Sequence, residues 1–315
     1  MSQISPPESS EKSPLSGPKL GALDIETRRR RRWPWVTGAV VVVAAIVAAV
    51  VVVNAPHGPK PFGTNLTVQY GAGDKAGKAL LEYIAKDVAP DYGVTITPND
   101  SISDYNQANR VVSDGTVPAL LFEHKPFLND EIAANGFQLE AVTPVYTWNQ
   151  ASLSQKWKSW AQVPDGATIG LRSDPAGQAI ALLDLAWSKQ ITLKPGHTTL
   201  AGLPQLKDIA TNPKGYKFTQ VNLGQLGRIL PDVDVEIVHI EDVYLSGVYR
   251  PENVIDNPPA PKGSEAQLVV NPAHRNDPNV KKLIKVFEDP RIQTWLKTTD
   301  NPLVKSIFGP ADSVG

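Results

Sequence analysis

The sequence predicts an α/β protein preceded by one membrane-spanning helix. Two observations carry this. From Leu66 onward, short apolar strands alternate with amphipathic helices, and ahead of them eighteen uncharged residues, Val36 to Val53, follow five consecutive arginines, Arg28 to Arg32. A third observation bounds the chemistry: the 315 residues include no cysteine, which removes disulfides, thiolate metal ligands, cysteine nucleophiles and a lipid-bearing cysteine together.

Taken in order, residues 1–32 are rich in Ser, Pro and Glu with few apolar side chains and read as a disordered cytoplasmic tail. Residues 33–53, opened by Trp33 and Trp35, form a helix of roughly 30 Å, the thickness of a bilayer core. Basic residues precede the span and only Lys60 follows closely, so the N-terminus is expected inside and the rest outside, in a single-pass cell-membrane protein. A cleaved signal peptide fits less well, because the basic head and the apolar block are both too long. Residues 54–64, with Pro56, Pro59 and Pro61, read as a linker. About 260 residues remain to fold, enough for one large domain or two lobes.

Within that part the expected strands are Leu66 to Tyr70, Val94 to Thr97, Ala119 to Phe122, Leu139 to Val145, Thr168 to Leu171, Lys217 to Val221, Val235 to Ile240 and Gln267 to Val270. Between them helices are expected after Gly71-Ala72-Gly73, at Tyr105 to Val112, Pro126 to Ala134, Gln155 to Trp160, Ala176 to Lys189, Leu203 to Ile209 and Gly224 to Leu230. Two more close the chain, at Val280 to Phe287 and Arg291 to Lys297. Asp174-Pro175 supplies the cap and first residue of the helix at Ala176. Strands alternating with helices imply mostly parallel pairing.

Several function classes lack support. The tail sums to +3, leaving −4 on the remainder, so no nucleic-acid partner is expected. The glycines from Gly71 to Gly77 miss the spacing of a phosphate loop, and Ala79 follows Lys78 where that loop needs Ser or Thr; an ordinary turn whose amides face a ligand is the simpler reading. The five histidines lie far apart, and no Gly-x-Ser-x-Gly elbow occurs. No enzyme activity, metal or cofactor is expected.

The stretch Phe122-Glu123-His124-Lys125-Pro126-Phe127-Leu128 stands at the carboxyl end of a buried strand, where open α/β sheets bind ligands; read alone, it is no more than a core phenylalanine and a capping histidine. It resembles the F-Q-H-K-P-Y-L motif of the NlpA/MetQ family, the methionine-binding lipoproteins of ABC importers. Further segments match in the same order: Leu81 to Pro90, Asp104-Tyr105-x-Gln107-x-Asn109, Pro164 to Ile169, Asp174-Pro175, Gln225-Leu226-x-Arg228 and Asp232-Val233-Asp234.

The resemblance implies a two-lobed periplasmic-binding-protein-like (type II) fold spanning 65–315, with lobe I at 65–143 and 243–315 and lobe II at 144–242. The chain would cross between lobes near Val142 to Tyr146 and near His239 to Leu245. It implies an extracytoplasmic solute-binding protein that delivers a small ligand of the amino-acid class, methionine-like, to ABC permease and ATPase subunits. Tyr105, Phe122 and His124 would line its aromatic pocket, suited to an apolar or thioether chain. Two departures touch the ligand's charged ends. The family's asparagine and arginine at the second-lobe helix stand here as Gly177 and Ile180, so Arg172 is either the replacement clamp or a solvated surface arginine. The family's N-x-N-Y is His239-Ile240-Glu241-Asp242, which suits a cationic group, unless the two acids serve only structural salt bridges. The alternative to transport is a tethered receptor or scaffold whose cleft has lost its ligand.

Overall fold

Strand β1 (Asn65–Tyr70) buries Leu66, Val68 and Tyr70 and stands one strand in from the edge of a six-stranded sheet. The computed structural model describes residues 60–314; the expected tail and membrane span, and the linker up to residue 59, lie outside them. Among the described residues no helix is long and apolar enough to cross a membrane.

Helix α1 (Lys75–Tyr83) follows β1. The Asp74 carboxylate accepts from the amides of Ala76 and Gly77, so the glycine-rich turn caps its own helix and those two amides are not free to hold a phosphate. The helix continues through a wider turn at Ile84–Val88, burying Leu80, Leu81, Ile84 and Val88 completely. β2 (Thr95–Asn99), α2 (Tyr105–Ser113), β3 (Ala119–His124) and α3 (Lys125–Asn135) complete a run in which β2 and β3 flank β1 in parallel.

β4 (Glu140–Trp148) belongs to the same sheet, and β5 (Gln150–Leu153) to another. The first passage between lobes is therefore at Asn149, not at Val142 to Tyr146, which are interior to β4. Asn149 anchors the passage by donating to the carbonyls of Lys305 and Ser306. In the second lobe come β6 (Thr168–Arg172), α4 (Pro175–Trp187), the short pair β7 (Thr192–Leu193) and β8 (Ile209–Thr211), β9 (Lys217–Val221), β10 (Val235–His239), α5 (Ile240–Leu245) and β11 (Val254–Asp256). Because β11 pairs with β5, the chain leaves this sheet only after Asp256, later than the expected His239 to Leu245. β12 (Ala266–Val270), α6 (Pro278–Phe287), α7 (Pro290–Thr298), α8 (Pro302–Ile307) and β13 (Phe308–Pro310) return to the first lobe.

The large sheet has the order β13-β4-β12-β3-β1-β2, and the five-stranded one β11-β5-β10-β6-β9. Both are mixed rather than mostly parallel. β12 re-enters between β3 and β4, antiparallel to each, and β5 runs antiparallel to β10; a chain that leaves a lobe and comes back reverses direction at its return. One core runs through both lobes, joining Leu66, Leu80 and Val145 to Ala151, Leu153, Val238 and Val243, and a second fills the other lobe around Ile169, Leu182 and Ile237.

Three expected helices are absent as such. Gly227 has φ 76° and donates its amide to the buried Glu236 carboxylate, which breaks the run Gly224 to Leu230 after a single turn. Leu203 takes φ 41° ahead of Pro204, leaving one short turn at Leu206–Asp208. Ser154 Oγ accepts from the amides of Lys156 and Trp157, so Gln155 to Trp160 forms a turn whose indoles reach Asp234 and Asp256.

Candidate functional site

The carboxyl ends of β3, β6 and β10 meet around a cavity of about 50 Å³, which also touches Trp148 at the end of β4. Six of the seven residues singled out in the sequence line it: Tyr105, Phe122, His124, Arg172, His239 and Glu241. They come from both lobes.

The first lobe supplies an aromatic wall. Tyr105 at the start of α2 stacks on Phe122 of β3, ring centres 5.1 Å apart. His124 caps α3, its Nδ1 accepting from the Phe127 amide at 3.2 Å, which puts any ring proton on Nε2. The capping and cavity-lining readings of this histidine therefore hold together. Trp148, immediately before the passage at Asn149, meets the His124 ring edge-on at 6.1 Å and lies flat on His239 at 5.4 Å and 8°. One indole thus touches a histidine from each lobe.

The second lobe supplies charge. Arg172, the last residue of β6, is 9% exposed, so it is not a solvated surface arginine. Its Nε donates to Asp174 Oδ2 at 2.7 Å, and Asp174 also caps α4 through the Gly177 amide. Among the described residues the terminal guanidinium nitrogens have no hydrogen-bond partner in the protein, and Arg172 lines the cavity. Gly177 does not line that cavity; it backs the arginine. A Cβ there would collide with the Arg172 side chain, 2.7 Å from its Cβ and closer still to Nε, so the family's asparagine at this position is incompatible with the buried arginine conformation.

Facing the guanidinium are Glu241 and Asp242 at the start of α5, with the buried Asp74 behind them. Burial pushes the Asp242 carboxyl up to about 6 against the pull of Arg172. Burial and the charges of Asp74 and Asp242 push Glu241 well above the carboxylate range, and burial raises Asp74. Asp242 Oδ2 has no hydrogen-bond partner; His239 Nδ1 lies 3.7 Å away, too far for one. Both histidines are neutral at physiological pH, because burial and the Arg172 charge hold His124 down to about 3 and His239 well below its usual value. Neither histidine therefore supplies a cation to Glu241 or Asp242, and the positive charge felt by Asp242 is that of Arg172.

Sequence reasoning missed Glu123, Phe127, Trp148 and Leu223 on the cavity wall, whereas Asp242, read beside Glu241 as an acid suited to a cation, is on it. Glu123 and Phe127 stood inside the quoted motif, and period-two alternation puts Glu123 on the face opposite Phe122, which gave no reason to choose it. Glu123 is buried, bonded to Asn109 at 2.6 Å and raised by burial to about 8. Trp148 carried no signal, since its role depends on where the chain changes lobes.

Residues 68–308 match the model of the NlpA lipoprotein family. Lipoprotein 28 of Escherichia coli K12 is 33% identical over 200 residues, covering 61% of this chain and 71% of that protein. The D-methionine-binding lipoprotein MetQ of Escherichia coli O157:H7 is 28% identical over 212 residues, 66% of this chain and 77% of that one. Among solved structures, a periplasmic substrate-binding protein of an ABC transporter from Coxiella burnetii superposes with a TM-score of 0.66 at 26% identity, covering 78% of this chain and all of that one.

Proposed function

Because the chain belongs to the NlpA lipoprotein family, a family of substrate-binding proteins of ABC importers and not of enzymes, we propose that it captures an α-amino acid with an apolar, methionine-like side chain. The ligand carboxylate meets the free end of the Arg172 guanidinium, its ammonium meets Asp242 and Glu241, and its side chain lies against Tyr105, Phe122 and Phe127. The observation that carries this reading is the pairing within one cavity of an incompletely bonded buried cation and an incompletely bonded buried carboxylate. A zwitterion satisfies both, whereas a simple acid or amine satisfies one.

The void of about 50 Å³ holds only a few waters, so ligand entry requires the lobes to separate about Asn149 and the segment 257–265, in the hinge closure usual for two-lobed binding proteins. The same small volume favours a second reading, a ligand-poor receptor or scaffold. The domain lies on the extracytoplasmic side of the membrane, tethered through residues 33–53, and hands its ligand to an ABC permease and ATPase. The apolar block behind five arginines supports the tether; alkaline extraction of membranes tests it, since release into the soluble fraction would rule out a spanning segment.

Thermal unfolding of the purified full-length chain, stripped of retained ligand by unfolding and refolding, tests the ligand class. At a hundredfold excess over Kd, methionine should stabilise by about 2.7 kcal/mol, a rise of several degrees, and its methyl ester much less. A shift with polyamines alone would replace the amino acid by a cation. No shift with any amino acid, peptide or polyamine would leave the scaffold reading.

A further inference from the structure

Glu123 of β3 is 1% exposed and Asn109 of α2 is completely buried. Asn109 Nδ2 donates to Glu123 Oε1 at 2.6 Å. The second oxygen of each group, Glu123 Oε2 and Asn109 Oδ1, is cut off from solvent and has no hydrogen-bond partner among the described residues. Two acceptors cannot satisfy each other without a proton between them. The neighbouring elements bring no cation to the pair. Gln267, set beside Glu123 by the register of β12 on β3, also leaves its amide Oε1 unpartnered, and Glu265 is a further carboxylate, accepting from the Gly263 amide. On α2 the Arg110 guanidinium lies over the Phe137 ring. On α3 Glu131 adds negative charge and Lys125 is exposed, while the adjoining His124 is neutral. Burial, opposed by the Asn109 bond and reinforced by the Glu131 charge, raises the Glu123 carboxyl to about 8.

We propose that Glu123 is held as a neutral carboxylic acid whose Oε2–H donates to Asn109 Oδ1, closing a two-bond ring that positions the aromatic wall of the cleft. One proton then satisfies both orphaned oxygens, which native proteins rarely leave unpaired. The ring acts on the wall through a bulge. Leu268 of β12 stands opposite Leu121 and Gln267 opposite Glu123, so Phe122 is an extra residue in β3. A bulge re-aims the side chains beside it: Phe122 stacks on Tyr105 and Glu123 bonds Asn109, so both reach α2 where strict alternation would part them. Tyr105 and Asn109 are four residues apart, on one face of that helix. Fastening Asn109 to β3 therefore fastens Tyr105 against Phe122. Glu123 is a positioning residue, acting through these two rings. The glutamine that the family motif carries here offers the same one acceptor and one donor.

Melting of the ligand-free full-length chain against pH tests the proton. A folded-state value near 8 lies above the unfolded value of about 4.3, so the stabilisation is complete below that value and is lost as pH rises to about 8. Glu123→Gln cannot ionise. It should match the wild type near about pH 4.5 and melt several degrees higher by about pH 8.5. A difference that is constant with pH, or that grows in favour of the wild type, would overturn the proposal. Infrared spectra at neutral pH give a second reading: a carboxylic-acid C=O band should be present in the wild type and missing from Glu123→Gln, and identical spectra in that region would overturn it. The link to the cleft rests on the proposed amino-acid ligand. Glu123→Ala should weaken methionine binding about tenfold, by leaving Asn109 unpaired, and Glu123→Gln should restore it. Wild-type affinity in Glu123→Ala, or no restoration by glutamine, would remove the positioning role. If methionine bound to none of the three, the proposed ligand would fall, and the melting and infrared results would decide the state of Glu123 by themselves.

Discussion

The two walls of the cleft were built under different constraints. On the first-lobe side Tyr105, Phe122 and Phe127 present aromatic faces from β3 and its neighbouring helices, and the stretch Phe122 to Leu128 is identical to the family motif at five of seven positions. On the second-lobe side the asparagine and arginine usual in the family are absent, and a guanidinium reaches the cavity from a different element, the end of β6, through the space vacated at Gly177. On the proposed function, the difference means that the two ends of the ligand are recognised separately. A side-chain pocket made of apolar surface depends on shape and tolerates little rearrangement, whereas a charge can be delivered from any neighbouring backbone position that places it in the same few ångströms.

The sharpest way to break this comparison is Arg172→Ala. Truncating one member of a buried, hydrogen-bonded charge pair costs about 2–5 kcal/mol, so amino-acid affinity should fall by about thirtyfold to about a thousandfold or more, and the preference of the protein for methionine over its methyl ester should vanish. Titration calorimetry reads both; an unchanged profile would remove Arg172 from the clamp. On the aromatic side, Phe122→Ala removes a half-buried ring stacked on Tyr105 and should cost about 2 kcal/mol of binding, roughly thirtyfold. Its melting temperature without ligand should change little, and a loss that scaled with stability instead would mark Phe122 as core.

Gly177→Ala probes the space that admits the arginine. The added methyl would displace the Arg172 side chain, so affinity should drop about tenfold, in line with the usual cost of overpacking, and the loss should disappear in the Arg172→Ala background. The smallest effect is with pH. Asp242 titrates near 6 in the ligand-free protein, and an ammonium binds its ionised form, so ligand competes with a proton. Affinity should be full above about pH 7 and fall about fourfold by about pH 5.5 as the proton is taken up. Asp242→Asn should flatten that part of the profile; a dependence that survived would assign it to Glu241 and Asp74, which burial shifts in the same direction.

Much of the chain was legible because local signals agreed with the tertiary context. Asp174-Pro175 opens α4 as read, the buried strand through Phe122 ends at His124, and the C-terminal helices lie within a few residues of their expected bounds. Misreadings came where a distant group intervened. Helix periodicity around Gly224 to Leu230 was overridden by the bond from Gly227 to Glu236, and the lobe passages shifted because β4 and β11 are each extended by partners far away in sequence.

By itself, then, the sequence determined the family, the α/β class and the chemical types available to the cleft, because motif spacing and side-chain periodicity are properties of a linear string. Only the tertiary structure decided that Arg172 is buried and points its free end into the cavity, that Gly177 acts by lacking a side chain, and that Trp148 touches both lobes. Each of these depends on which atoms lie within a few ångströms across the fold, and desolvation and hydrogen bonding, which set charge and affinity, are governed by that proximity rather than by order along the chain.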